Sequence, residues 1–349
     1  MGNMIEGLAM RHLMKSCLVV LATGFPLMAQ ADVKTIIEQT VTEQILPGYQ
    51  GLANHAESLL LATDSHCGVD DPDLRDAWGA MMDAWTRVSH LRFGPSETDA
   101  RAFALAFWPD PRGKTAKALN QLLTDLDPSV SDPAIFETVS VAARGLNALE
   151  FLLYDDAMRA AATPEYRCAL IRAIATGLVD TSAAILSDWQ GQYGDAMLNP
   201  VETGPYRGEG EVYQELYKAL ATGLEFATLS RLGRPLGTFD RPRPRRAELR
   251  RSGRSRHQLI VALEELSELA AILSSDHPEI ASRFEVGFAE ALDLAADPDD
   301  PIFASVSETS GRLKVEILQQ SVERLRLIVT DELGPAIGVG VGFNALDGD

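Results

Sequence analysis

The sequence predicts an all-α protein built from two helical bundles, and three observations predict it. Apolar residues recur at three- and four-residue steps through one segment after another. Period-two alternation and β-branched runs are scarce. Proline and glycine fall between the periodic segments, where they stop one helix and open the next. Helices of about 20–30 residues pack as bundles. The roughly 318 residues after position 31 exceed one bundle core, so two domains are expected, 32–160 and 161–349. Long helices in both halves suggest a duplication.

Residues 1–31 stand apart. Arg11, His12 and Lys15 precede the apolar run Cys17–Met28, and Ala29-Gln30-Ala31 follows it. A basic start, a short apolar core and an A-x-A site make a secretory signal peptide. The run is too short to span a bilayer as a stable helix. Cys17 lacks the small-residue setting that precedes a lipidated cysteine, so a soluble periplasmic protein is expected, with Met10 or Met14 as alternative starts. Once this segment is removed, 29 basic side chains face 49 acidic ones, a net charge near −20. No general cationic face remains, which excludes nucleic acid as a partner. The acidity either attracts cations and basic partners or simply keeps the protein soluble. Cys67 and Cys168 remain, and an even pair in an exported chain reads as a disulfide. A bridge across about 100 residues restricts the unfolded chain by several kcal/mol.

The elements follow in order. Val33 to about Thr63 is amphipathic, with an interruption near Pro47-Gly48. Pro72–Arg92 follows, capped by Asp71, with Trp78, Met81, Trp85 and Val88 on one side. Phe93-Gly94-Pro95 breaks it, Arg101–Phe107 forms a short turn, and Trp108–Gly113 is a loop. Lys114–Leu126 is helical and ends before Pro128. Asp132-Pro133 opens a central helix expected to run to Tyr154, with Ile135, Val139, Ala142, Leu146, Leu149 and Leu153 as one stripe. On that helix Glu150 sits only about 40° from Leu146, at the stripe's edge, with Asn147 one turn earlier. A carboxylate there is partly desolvated and calls for a cation, a metal or a cluster of donors.

Thr163-Pro164 starts a long helix to about Tyr193, and a glycine-rich link leads to Glu211–Leu232. His257–Ser274 and Pro278–Ala295 form a pair, and Ser307–Leu333 ends at Gly334-Pro335. Two stretches depart from this pattern. Eight arginines fall within residues 241–256 of an otherwise acidic chain. They read either as a solvated loop pairing with acidic helices of the same chain or as a docking patch for a carboxylate, a phosphate or a partner. Ser255 and Gln258 fit a capping box at its end. The tail Gly334–Asp349 carries Phe343 and Leu346, which suggests packing onto the domain.

Motifs of known enzyme machinery are absent: no H-E-x-x-H, no G-x-S-x-G and no phosphate-binding glycine loop before a lysine. His55, His66, His90, His257 and His277 offer no pair at i,i+3 or i,i+4 for zinc, and each reads as a surface or capping residue. The many carboxylates suit harder cations such as iron or calcium.

GLNALEFLLY, residues 145–154, resembles the G-x-H-x-x-E signature of the imelysin family of bacterial exported proteins. WGAMMDAWTRVSHLRFGP, RAFALAFWPDPRG, the PLG and AELRRSGRS elements of 234–255, and GFNALDGD resemble its predicted periplasmic lipoprotein branch. The resemblance implies two related bundles with the signature near their interface, a link to bacterial iron uptake, and a metallopeptidase label. It places Gly145 and Glu150 at signature positions, with Asn147 where the histidine belongs. An imidazole binds metal and moves protons near neutral pH, whereas a carboxamide offers only a weak neutral oxygen.

The expected function is therefore binding of a metal, a metal complex or an envelope iron-uptake partner, with iron as the implied cofactor. Asn147, Glu150, Arg92, Arg112, Arg251, Ser252 and Ser255 are the expected ligand-binding set. Asp110 and Glu248 are candidates to complete a metal shell with Glu150. A structural alternative pairs Glu150 with Arg92, Arg112 or Arg251 to hold the bundles together. The competing functions are an imelysin-type metallopeptidase and a scaffold docking through the arginine-rich loop.

Overall fold

The structure is a computed structural model and describes residues 33–65, 67–68 and 70–339. Residues 1–31, where a signal peptide is expected, His66 and the tail residues Phe343 and Leu346 lie outside the described residues. The described residues are mostly helical, and the only β-type pairing among them is an isolated bridge between Thr238 and Arg241.

The N-terminal helices are α1 (Val33–Gln39), α2 (Leu46–Ser65), α3 (Pro72–Val88), α4 (Arg101–Leu105), α5 (Lys114–Asp125), α6 (Pro133–Phe136), α7 (Gly145–Tyr154) and α8 (Asp156–Ala160). The interruption expected near Pro47 is a π-helical stretch, Thr40–Ile45, between α1 and α2. Proline at 47 has no N–H to return to the preceding turn, so the helix widens there without breaking. Asp71 caps α3 by accepting from the Asp73 and Leu74 amides, with Pro72 at the first position.

The expected central helix is the main correction. Residues 133–154 form two helices, α6 and α7, separated by a turn. Ile135 is exposed and belongs to no core stripe. The break spans residues 137–144, and α7 restarts at Gly145, whose φ of +84° does not continue a helix from the preceding residues.

The C-terminal helices are α9 (Pro164–Asp188), α10 (Gly194–Leu198), α11 (Glu209–Glu225), α12 (Gly233–Leu236), α13 (Ser255–Leu273), α14 (Pro278–Ala295), α15 (Thr309–Ile328) and α16 (Gly334–Ala336). Further π stretches follow α9, α11 and α15. Helices α2, α3, α7 and α9 pack together, as do α11, α13, α14 and α15, and α3 packs on α13 between the two groups. One contiguous apolar cluster runs from Ile36 to Leu333 through both groups. Thus α9, which follows residue 160, packs with helices that precede it, and α1 packs on α11. Cys67 and Cys168 are bridged, joining the chain just after α2 to α9. The helical stretch Pro164–Leu198 is long and apolar enough to cross a membrane, yet Leu170, Ile171, Ile174, Leu178 and Ile185 are buried in the core.

Candidate functional site

The site is built from Gly145 upward. A Cβ at this position would lie 2.4 Å from the Ala104 carbonyl oxygen and 2.7 Å from that of Leu105, at the end of α4. Only glycine tolerates both this approach and the positive φ. One residue on, the Leu146 carbonyl accepts from the Trp78 indole N–H at 3.0 Å, tying α7 to α3. These contacts fix the start of α7, so Glu150 enters the interior with 3 % of its surface exposed.

What meets Glu150 is the backbone of the arginine-rich segment. Its Oε1 accepts from the Arg251 and Ser252 amides, each at 3.0 Å. Ser252 Oγ lies 3.1 Å from Oε1 and 3.0 Å from the Leu249 carbonyl, one proton shared between two acceptors. Leu249 and Gly253, both at positive φ, bracket the turn that presents these donors. Burial pushes the Glu150 carboxyl above the ordinary glutamate value, and the Ser252 and Arg251 groups oppose that push. The Arg251 guanidinium does not meet Glu150. It pairs with Asp155 at 2.8 Å and stacks 3.5 Å above the Phe151 ring.

A second carboxylate grips the same segment three to seven residues further on. Asp83 of α3 accepts from Arg254 at 2.6 and 2.7 Å, from Gln258 at 2.5 Å, and contacts His257 Nε2 at 2.9 Å. Burial pushes its carboxyl up, but the His257 and Arg254 contacts outweigh that and hold it below the ordinary aspartate value. Arg256 is buried, with its guanidinium on the Asp300 and Ala295 carbonyls. The arginine-rich segment therefore pairs in part with its own chain, as one of its two readings expected.

The other expected site residues are dispersed. Asn147 is buried beside this joint, its Oδ1 without a hydrogen-bond partner. Ser255 is buried with its hydroxyl unpartnered, and no capping box forms because Gln258 is drawn to Asp83 and Thr86. Arg92 pairs with Glu97 at 2.6 Å and lies over Phe103. Arg112 is an exposed loop residue whose backbone amide faces Asp110. Asp110 caps α5 through the Lys114 and Thr115 amides at 2.9 and 2.8 Å. Glu248 forms a buried ion pair with Arg231 at 2.9 Å.

The metal shell drawn from Glu150, Asp110 and Glu248 is thus not assembled, because each carboxylate is held by different protein donors. Among the described residues no three His, Cys, Asp or Glu side chains converge to hold a metal ion. At Glu150 the donors to a metal would be one carboxylate that already accepts three hydrogen bonds and one neutral amide oxygen. The positive charges of Arg250 and Arg251 act on the same carboxylate. This donor set does not fit a bare cation.

Cations, by contrast, are in excess. Arg234, Arg245, Arg246 and Arg250 make no ion pair among the described residues. Burial lowers Arg234 and Arg250 below the ordinary arginine value, and repulsion from Arg246, and from Arg251 and Arg245, adds to it. The sequence reading missed Asp83, which stands one turn from the small residues Gly79 and Thr86, on the side of the helix opposite the Trp78–Met81–Trp85 stripe that drew the core assignment.

The family model for Imelysin (Peptidase_M75) matches residues 45–329. An imelysin-like protein from Psychrobacter arcticum 273-4 superposes with a TM-score of 0.72 at 21 % identity, covering 89 % of this chain and 97 % of that one. A putative iron-regulated protein A precursor from Parabacteroides distasonis ATCC 8503 superposes with a TM-score of 0.70 at 13 % identity, covering 85 % and 93 %. No curated protein matches the chain. At these identities the likeness is one of fold.

Proposed function

The chain belongs to the imelysin family, and from that premise we propose that it serves iron uptake in the periplasm by binding an anionic iron chelate, with no peptide hydrolysis. The carrying observation is the crowding of Arg234, Arg245, Arg246 and Arg250, none in an ion pair among the described residues, on an otherwise strongly acidic protein; Asp110 near Arg234, and Glu150 and Asp155 near Arg250, offset their repulsion only in part. Guanidinium groups held against mutual repulsion gain most from a ligand that brings carboxylates, and planar forks match them in pairs. Glu150 serves this patch indirectly: it holds the 249–252 turn in place. An iron-regulated structural neighbour supports the link to iron, and the disulfide suits an oxidising compartment.

The peptidase reading needs a metal-activated water and a general base. Asn147 is neutral and cannot act as a base, and Glu150 has one oxygen, Oε1, committed to three protein donors, so the pair does not supply both. The test is calorimetry on the chelator-stripped mature chain. Ferric citrate should bind with an affinity that falls at high salt and is lost in the R245Q/R246Q/R250Q variant, while ferrous ion alone should give no saturable heat. Binding of bare iron that survives in this variant would overturn the proposal, as would chelator-sensitive cleavage of casein abolished by Glu150→Gln.

A further inference from the structure

A cavity of about 420 Å³ lies where α3 and the 89–109 segment face α11, its π extension and α13. None of Asn147, Glu150, Arg251 or Ser252 lines it. Its volume falls within the range of small-molecule sites. Trp85, Phe103, Trp108 and Phe226 supply aromatic wall, and Ala106, Leu229 and Leu266 supply aliphatic wall. Phe103 and Leu229 belong to this lining and are exposed, so the space opens to solvent. Gly223 keeps the wall thin on the α11 side, since a Cβ there would lie 2.5 Å from Leu266 Cδ2 and 3.0 Å from His90 Cβ.

Charged side chains also line the cavity, but each acts on an opposite charge. Arg92 pairs with Glu97 at 2.6 Å and Arg231 with Glu248 at 2.9 Å. Glu215 and Lys218 stand one turn apart on α11, and the Lys218 charge acts on the Glu215 carboxyl. Glu225 acts likewise on Arg326. The aromatic faces are engaged as well. Arg92 lies 5.2 Å over Phe103, Arg231 5.1 Å over Phe226 and Arg234 5.6 Å over Trp108. A ligand cation stacking on these rings would meet like charge.

Two titratable groups in the wall respond to this surrounding in the same sense. His90 is 7 % exposed; burial, with the Arg231 charge, brings its pKa down to about 4, so the ring is neutral at neutral pH. At half-buried Glu215, burial lifts the carboxyl above the ordinary glutamate value, and Lys218 offsets that only in part. Each group is pushed toward its uncharged form. A wall that penalises a cation at His90 and an anion at Glu215 gives no advantage to a ligand of either sign, whereas its rings and aliphatic side chains reward apolar area.

We infer that this cavity is a second binding site, taking a small neutral aromatic molecule that packs on Trp108, Phe226 and Leu266 and leaves the ion pairs of the wall intact. Trp108 borders the arginine patch through Arg234, but the two sites differ in kind: the patch suits anions.

The probes are 1-naphthylmethanol, 1-naphthylmethylamine and 1-naphthoate, titrated calorimetrically into the mature chain at neutral pH. They share one ring system and are neutral, cationic and anionic. The alcohol should bind one to one, about tenfold tighter than either charged probe. Thr222→Trp on α11 and Ala106→Trp on the facing segment each fill the space and should each abolish that binding, so a folding defect in one leaves the other to decide. Lys218→Gln should strengthen binding of the amine about threefold, and Glu215→Gln that of the carboxylate, with the alcohol unchanged. The R245Q/R246Q/R250Q variant should bind the alcohol unchanged, which separates this site from the proposed chelate site. A charged probe that binds as tightly as the alcohol, no saturable binding of the alcohol, alcohol binding that survives both tryptophan variants, or no gain for either charged probe on removal of Lys218 or Glu215 would overturn the inference.

Discussion

Glu150 and Asp83 hold one stretch of chain, residues 249–258, against helices of the other group, yet their environments move them in opposite directions. Glu150 is nearly fully buried, and its donors are two backbone amides and a hydroxyl. Asp83 is less buried, and its donors include a guanidinium and an imidazole. Desolvation wins at the first and lifts the carboxyl; charged hydrogen bonds win at the second and lower it. The first joint is built for shape and the second for charge.

The largest expected effect comes from breaking the first. Glu150→Ala leaves two amides and a hydroxyl without their acceptor in a dry site, and should destabilise the protein by about 4 kcal/mol in urea unfolding. Glu150→Gln keeps an acceptor and should cost under about 1.5 kcal/mol. At the second joint Asp83→Asn should cost about 2 kcal/mol, and raising the salt should shrink that cost while leaving the Glu150→Ala cost unchanged. Ser252→Ala removes one of three donors and should cost about 1 kcal/mol.

The finest distinction is in pH. The folded pKa of Glu150 lies above its unfolded value, so its contribution is full below the unfolded value and is lost as pH rises through the folded one. Asp83 is the reverse: its contribution is present above the unfolded aspartate value and is lost as pH falls through the folded one. Glu150→Gln should therefore flatten the stability profile above the ordinary glutamate range, and Asp83→Asn should flatten its acid limb. Profiles that change on the same side in both variants would show the two carboxylates to be alike.

The sequence made much of this legible and left specific parts hidden. The long helices α3, α5, α9, α11, α13, α14 and α15 were marked by period, because each buries one stripe, whereas the short α8, α10 and α12 were not. Glu150 stood out as a carboxylate in an aliphatic run, and the family resemblance brought Arg251 and Ser252 to it. The chemistry of their contact was not legible. Arg251 reads as a cation, but it meets Glu150 through its amide, and only the turn between Leu249 and Gly253 decides that. The break before Gly145 was hidden because apolar spacing continues across it and the neighbour that demands glycine there lies some 40 residues earlier. His90 read as a surface histidine, although Val88, Leu91 and Phe93 around it are buried and were the available signal.

The glycine start of α7 also determines which length changes this segment accepts. With Gly145 pressed onto the carbonyls of Ala104 and Leu105, the phase of the helix is set at its first residue. One residue inserted between Gly145 and Glu150 turns the carboxylate by about 100° and carries it off the 251–252 amides. An insertion in the turn before Gly145 leaves that angle intact. Length variation is therefore tolerated on one side of a single glycine and excluded for the five residues on the other.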